Sequence, residues 1–316
     1  MKYSEELINE IIKLSSFGFS SRAIASQLSI SKSGVNNVLQ RQPSGYVEEA
    51  VEATPIPVRI ALIDIETAPS IAAVFGRWKQ NIGQANVIEE GGWLLTASYK
   101  WLGSDETHVI AFPEEILNKS DFKLCKALQE VYNQADAVIA HNAPFDHKMI
   151  QTRCLINFLP PLKTVKVIDT LAMAKKNFRF NSNKLDSLGE ILGFGGKTSH
   201  DGMKMWLDVM FGDLDALYRM KEYNARDVYL LEQVYLKLRG LGHQGTLFNA
   251  GLHYDDSVHH CNVCGSDHVA KTGNSVYTAL SEFSEYECLD CGAKMRDRQA
   301  KNSKEQRKNL LTSILN

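Results

Sequence analysis

The sequence has no apolar run approaching the roughly 20 residues needed to cross a bilayer, and its first residues, MKYSEELINE, lack the charged-then-apolar order of a secretory signal. Charge of one sign is missing too. With 35 Lys and Arg against 37 Asp and Glu the formal net charge is −2, so no global field attracts a polyanion and any such affinity has to come from local patches. Internal repeats and low-complexity tracts are absent. These absences give the expectation of a soluble, cytoplasmic protein (host cytoplasm if viral) with no membrane partner. What is present is an ordinary globular composition, 44% hydrophobic and 23% charged, which excludes wholesale disorder and fibrous architecture. The 316 residues are enough for about two domains.

Cysteine is scarce but unevenly placed. Of the six, Cys125 and Cys154 stand alone, while Cys261, Cys264, Cys288 and Cys291 form two C-x-x-C pairs, CNVCG and CLDCG. Without a secretory signal, paired thiols read as metal ligands before disulfides. Each C-x-x-C turn presents two thiolates to one ion, and four soft ligands suit tetrahedral zinc. A glycine follows each pair, Gly265 and Gly292, where the backbone must turn tightly. The strand-like segments SVYTAL and SEFSEYE lie between the pairs, and the whole resembles a zinc ribbon over residues 258–300, implying one closed, structural Zn²⁺. So small a module has little core, and metal binding would contribute much of its folding energy. From Gly292 to Asn316 the chain holds seven Lys and Arg against two acids, which favours nucleic acid as a partner, and residues 301–316 read as a basic tail.

Residues 1–42 have helical periodicity. Leu7, Ile11, Ile12 and Leu14 begin an apolar stripe that Ile24, Leu28, Val35, Val38 and Leu39 continue. Three short helices fit, with Gly18 breaking the first, Ser20 or Ser21 capping the second, and Ser29 to Ser31 turning into the third. The stretch GFSSRAIASQLSISKSGVNNVLQR resembles a helix-turn-helix. In that family the third helix enters the major groove, which implies DNA contacts by Lys32, Ser33, Asn36, Asn37 and Gln40. Read without the resemblance, the segment is a small helical interaction domain. After it, QPSGYVEEAVEATPIP has three prolines and no Lys or Arg, and residues 43–57 read as an extended, solvated linker.

At Val58 the texture changes. VRIALIDIET suits a central buried strand, and GWLLTASYKWLG with ETHVIAF reads as a hairpin turning near Gly103. Between them runs a loop of about twenty residues carrying Phe75, Arg77 and Trp78, a length that is often functional. A helix through Phe122, Leu124, Leu128 and Val131, a short strand DAVIA, and helices from Ala143, over Leu185–Leu192 and over Leu214–Leu238 follow. Strands first, then alternating helix and strand, predict an α/β domain over 58–242 built on a mixed sheet flanked by helices.

Three carboxylate motifs punctuate this region. Asp64 and Glu66 lie at i and i+2 on a strand, so both project from one face. Two acids on one face repel unless a cation sits between them, and hard dications such as Mg²⁺ or Mn²⁺ prefer oxygen ligands. Taken alone the pair is one of many in so acidic a chain, but Ile60, Leu62, Ile63 and Ile65 put it on a strand that ought to be buried, where an acid needs a partner. Asp146, in HNAPFD, falls just beyond the end of DAVIA, where α/β sheets assemble sites. Tyr223 and Asp227 are i and i+4 on a helix and share a face.

The order D-x-E, N-x-x-F-D, Y-x-x-x-D resembles the three exonuclease motifs of the DEDD superfamily in its tyrosine variant, and is similar to the 3′→5′ proofreading domains of family B DNA polymerases. The resemblance covers about 58–240 and implies a ribonuclease H-like fold and metal-dependent 3′→5′ exonuclease activity on nucleic acid, with DNA favoured. It implies that Asp64, Glu66, Asp146 and Asp227 hold two Mg²⁺ or Mn²⁺, that Tyr223 orients the attacking water, and that Asn142 and Phe145 support the substrate end. An unperturbed phenol titrates near about 10, so positioning suits a tyrosine better than proton abstraction. Too little chain remains for polymerase palm and fingers, and the expectation is a free-standing exonuclease.

Between Lys163 and Lys204 eight Lys and Arg face four acids, including Lys175, Lys176, Arg179 and Lys184, a lining suited to a polyanion. Phe178, Phe180 and Trp206 are candidates for base stacking, with burial as the commoner alternative. Two other readings remain open at this point. A DNA-binding adaptor with an inactive nuclease core is disfavoured because every motif acid is present. A transposase-like or integrase-like recombinase is disfavoured because that family's third acid is typically Glu and it lacks the close D-x-E pair.

Overall fold

The computed structural model describes residues 3–4, 7–8, 10–11, 21–40, 58–76, 78–195, 202–241, 249–254 and 257–312. The expected linker at 43–57 and Arg77 therefore lie outside the described residues. Two compact units are present, 1–54 and 55–316. No helix among the described residues is long and apolar enough to cross a membrane.

In the first unit, α1 (Ser21–Gln27) and α2 (Lys32–Gln40) are joined by a four-residue turn. The turn is shaped by local polar chemistry: Ser29 takes a left-handed conformation, with φ +54°, and Ser31 Oγ accepts the Gly34 amide at 3.0 Å, capping α2. Of the apolar stripe read from the sequence, Ile11, Ile24 and Val35 are buried together with Ala25, and Leu7, Leu28, Val38 and Leu39 pack around them with Ile30; Ile12, Leu14, Gly18 and Ser20 lie outside the described residues. Lys32, Ser33 and Asn37 are exposed and Asn36 is half-buried; the side chain of Gln40 lies outside the description.

The second unit is organised by a five-stranded mixed sheet in the order β5-β4-β1-β6-β7. Its strands are β1 (Ile60–Thr67), β4 (Leu94–Trp101), β5 (Thr107–Ile110), β6 (Ala137–Ala140) and β7 (Lys166–Asp169). β4 runs antiparallel to central β1 and β5 antiparallel to β4, while β6 and β7 continue in parallel. Strand alternation divides β1 between two cores. Ala61, Ile63 and Ile65 face α4 (Phe122–Gln134) and α5 (Ala143–Ile156), packing against Leu124, Leu128, Val131, Ile150 and Cys154. Ile60 and Leu62 face the other way, against α6 (Thr170–Asn177), α7 (Leu185–Ile191) and the long helix α9 (Leu214–Leu238). Asp64 and Glu66 continue that second face, so one row of side chains changes from apolar to acidic along the strand. The mixed α/β sheet flanked by helices is the fold class expected from the sequence.

α9 has 25 residues because nothing in its sequence stops it: no Gly or Pro interrupts it, and Asp213 caps its start by accepting the Ala216 amide at 2.9 Å. Its buried stripe includes Ala216, Leu217, Met220, Tyr223, Asn224, Asp227, Val228 and Leu231. β4 and α9 are joined by an ion pair, Lys100 Nζ to Glu232 Oε2 at 2.9 Å, with both side chains 7% exposed or less. Glu232 Oε1 also accepts the Gly103 amide at 3.0 Å.

Several elements were not read from the sequence. The loop after β1 contains a small ribbon, β2 (Ile71–Ala72) paired with β3 (Val87–Glu89). α3 (Pro113–Leu117), α6, α8 (Met203–Met210) and the four-residue β7 are equally new. Phe178 and Phe180 pack against the core under α9 and not as free stacking surfaces. The cysteine region forms its own three-stranded sheet, β10-β9-β8, from β8 (Val269–Tyr277), β9 (Glu282–Cys288) and β10 (Lys294–Ala300), followed by α10 (Lys304–Lys308).

Candidate active site

Asp64 and Glu66 leave the core on β1, and α9 delivers Asp227 to the same place. Ligand oxygens of Asp64, Glu66 and Asp227 lie within 4.8 Å of one another. Asp64 and Glu66 are half-buried, and Asp227 is buried. Three carboxylates so close and so shielded repel strongly, and the donor set is all oxygen, which is what a hard divalent cation takes.

Asp64 and Glu66 are each held by a neighbour. Asn224 Nδ2 donates to Asp64 Oδ2 at 2.5 Å. The amide is itself fixed by β4: Asn224 Oδ1 accepts from Ser98 Oγ at 2.8 Å and from Thr96 Oγ1 at 3.3 Å. Those two hydroxyls stand directly across the ladder from the acids, in the register Asp64↔Ser98 and Glu66↔Thr96. Thr96, Ser98 and Asn224 are wholly buried. Trp206 of α8 donates from Nε1 to Glu66 Oε2 at 2.9 Å, and its ring meets Tyr223 edge to face at 5.7 Å. Trp206 thus belongs to the acid cluster as a donor, a different role from the base stacking considered for it. Tyr223 is buried, one helical turn before Asp227.

Asp146 sits in the first turn of α5, outside the group of three. β6 pairs β1 only through Leu62, which leaves the acid-bearing end of β1 open on that side. There the Asp146 carboxyl meets the Ile65 amide. Burial is the main influence on it, pushing it up to about 7, with the negative charges of Glu66 and Asp169 acting in the same direction; the amides of Asp146 and Ile65 pull the other way. Asn142 turns the chain into α5 in the left-handed region, φ +71°, and its amide donates to Asp169 Oδ1 at 2.9 Å. Asn142 and Phe145 are both exposed.

A cleft of about 530 Å³ opens at the acids, lined by Asp64 and Asp227 on one side and by His141, Lys175, Lys184 and Asp186 on the other. His141 is held between Thr170 Oγ1 at 2.9 Å and the Asn183 carbonyl at 2.8 Å. Lys175 and Lys184 bring positive charge to a site otherwise dominated by acids. Lys163, by contrast, caps the Asn133 and Ala135 carbonyls and serves the fold.

Residues 90–239 match the family model of the RNase H superfamily. The match ends at the close of α9 and takes in Asp146, Tyr223 and Asp227, while β1 with Asp64 and Glu66 precedes it. It agrees with the mixed sheet and points to metal-dependent nuclease chemistry on a nucleic acid. No curated protein matches the chain.

The second cluster is made of sulfur. The Sγ atoms of Cys261, Cys264, Cys288 and Cys291 lie within 4.8 Å of one another, with Cys261 to Cys291 and Cys264 to Cys288 both at 3.6 Å. Four arms of 2.3 Å in a tetrahedron would put sulfurs about 3.8 Å apart, so the set fits zinc. Both turns have the same build: the Gly265 amide donates to the Cys261 carbonyl and the Gly292 amide to the Cys288 carbonyl, each at 2.9 Å. Both glycines have positive φ, +79° and +70°, which a side chain would strain.

Sequence reasoning missed Asn224, Thr96 and Ser98. A signal was there: two hydroxyl residues at i and i+2 interrupt an apolar strand paired with the D-x-E strand, and an amide stands beside Tyr223 in the helical motif.

Proposed function

We propose that this protein is a metal-dependent 3′→5′ exonuclease that hydrolyses nucleic-acid phosphodiesters, with DNA as its substrate. The observation that carries the reading is the convergence of Asp64, Glu66 and Asp227, from distant parts of the chain, beside Tyr223 and next to Asp146. Those four acids would hold two Mg²⁺ or Mn²⁺. Bound there, the dications would lower the pKa of water and neutralise charge on the attacked and leaving oxygens.

The chain's own residues prepare that site. Asn224 occupies one oxygen of Asp64 and Trp206 one oxygen of Glu66, so each carboxylate is fixed in orientation before any substrate arrives. Tyr223, braced by the Trp206 ring, would orient the attacking water. Lys175 and Lys184 would meet the phosphates of the strand, and the exposed Asn142 and Phe145 would support its end. In this reading α1 and α2 are a helix-turn-helix whose Lys32, Ser33, Asn36, Asn37 and Gln40 contact DNA, and the cysteine cluster is a zinc ribbon with one structural ion.

Single-stranded DNA and RNA labelled at either end, incubated with Mg²⁺, Mn²⁺ or EDTA, test the proposal. Stepwise loss from the 3′ end that stops in EDTA is expected. Loss from the 5′ end, internal cutting, or no hydrolysis in either metal would overturn it.

A further inference from the structure

β1 and α9 gather Asp64, Glu66 and Asp227, but the remaining acid comes from a third element. Asp146 rides on the first turn of α5, so its place depends on how that helix begins. Asn142 occupies the capping position, yet its side chain caps nothing there. Its φ of +71° lies in the left-handed region, which asparagine enters more readily than most residues but which few non-glycine residues adopt. Such a start has to be held from outside the helix.

Asp169 holds it. The ladder between β6 and β7 ends at the pair Ala140↔Asp169, and just past that last rung Asp169 Oδ1 accepts the Asn142 amide at 2.9 Å. The same oxygen accepts the Leu171 amide, also at 2.9 Å, and so caps α6. One carboxylate oxygen thus fixes the starts of two helices, the first carrying Asp146 and the second carrying Lys175 of the cleft. Thr170 adds a tie beside it. Wholly buried, it donates from Oγ1 to the Ala140 carbonyl at 3.3 Å and meets His141 Nδ1 at 2.9 Å. Residues 169–170 are therefore clipped to 140–142 by side chains where backbone pairing stops.

The clip lies against the acid it serves. The negative charge of Asp169 reaches the Asp146 carboxyl and disfavours its ionisation, which makes the two near neighbours. Asp169 itself stands outside the converging group of Asp64, Glu66 and Asp227, and its Oδ1 is committed to two amides. Its influence on the site therefore runs through the backbone at Asn142 and the helix that follows.

We propose that Asp169 is a positioning residue for Asp146: through the Asn142 amide it sets the start of α5, and with it the carboxylate that completes the second dication site. The inference rests on the two-metal reading of the acids and adds the residue on which the second ion depends.

Two variants of the full chain separate the tether from the charge. Asp169→Asn keeps an accepting oxygen in the same place and removes the charge. Asp169→Ser still caps α6, a role serine fills well, but its shorter side chain does not reach the Asn142 amide. Mn²⁺ binding without substrate is measured by titration calorimetry, and backbone hydrogen exchange across 140–150 is measured in the metal-free proteins. The wild type and Asp169→Asn are expected to bind two Mn²⁺. Asp169→Ser should keep the first ion and bind the second about tenfold or more weakly, the usual cost of losing a group that orients a metal ligand, and the start of its α5 should exchange faster than in the wild type. Unchanged exchange or undiminished binding of the second ion in Asp169→Ser would overturn the proposal. So would loss of the second ion in Asp169→Asn to the same degree, since the charge and not the tether would then be responsible. Fewer than two Mn²⁺ on the wild type would instead count against the two-metal reading, and the exchange comparison would still decide whether Asp169 holds the start of α5.

Discussion

Asn224 stands 2.5 Å from Asp64, between that carboxylate and the Ser98 hydroxyl, and so converts a buried strand polarity into the orientation of an acid. Replacing it with Ala leaves two buried hydroxyls without their acceptor. The expected loss of stability is about 1–3 kcal/mol, the cost of an unsatisfied buried group. Asn224→Asp keeps the shape but adds a fourth negative charge at the cluster. That variant should require less Mn²⁺ for half-maximal hydrolysis than the wild type, because the added charge attracts the cation, read from a metal titration; an unchanged titration would remove Asn224 from the site.

Asp227→Asn should abolish hydrolysis without unfolding the chain. Loss of a metal carboxylate forfeits several kcal/mol of transition-state stabilisation, about a thousandfold or more in rate. In EDTA the same change relieves repulsion among the three clustered acids. The metal-free variant should accordingly melt no lower than the metal-free wild type, and scanning calorimetry of the two proteins checks it.

The position of Asp146 makes the metal-free protein sensitive to pH. Its carboxyl titrates at about 7 when folded and near about 3.9 when unfolded. Between those values the folded state binds the extra proton, so stability falls as pH rises through that window and levels off above it. An EDTA-treated sample should melt higher at about pH 5.5 than at about pH 8. Asp146→Asn, which imitates the protonated form, should flatten that slope; an equal slope in both proteins would contradict the assignment.

Glu232→Gln tests the tie between β4 and α9. Lys100 would be left charged in a buried position, and removal of one partner from such a pair costs about 3–5 kcal/mol. The Gly103 amide could still be accepted by the glutamine oxygen, so denaturant unfolding would report the ion pair itself.

For the cysteine cluster, one zinc per chain by elemental analysis is the expected content. Chelation, or Cys264→Ser, should expose residues 257–300 to protease, because metal binding in so small a module is folding energy. Persistent resistance after zinc removal would show that the sheet holds without it.

Much of this architecture was legible because strong periodicity leaves little choice. The long stripe of α9 marked both ends of that helix, and the run IALIDIET marked a strand buried on both faces. The alternation of that strand also placed Asp64 and Glu66 together. What stayed hidden were contacts between distant segments. Nothing local in TASYK says that Thr96 and Ser98 will meet Asn224, since their meeting depends on ladder register and on where α9 crosses the sheet. Trp206 looked like a stacking residue because an indole's nitrogen finds its acceptor only in three dimensions. β7 and the β2–β3 ribbon were missed because two to four residues are too few to establish a period.

Asn224 and Asp227 sit in the middle of α9, with roughly three turns of helix on either side. Helix ends fray, but central amides open only when the surrounding fold does. Hydrogen exchange at these positions should consequently be among the slowest in the molecule with or without dications, the signature of a cage that exists before its contents arrive.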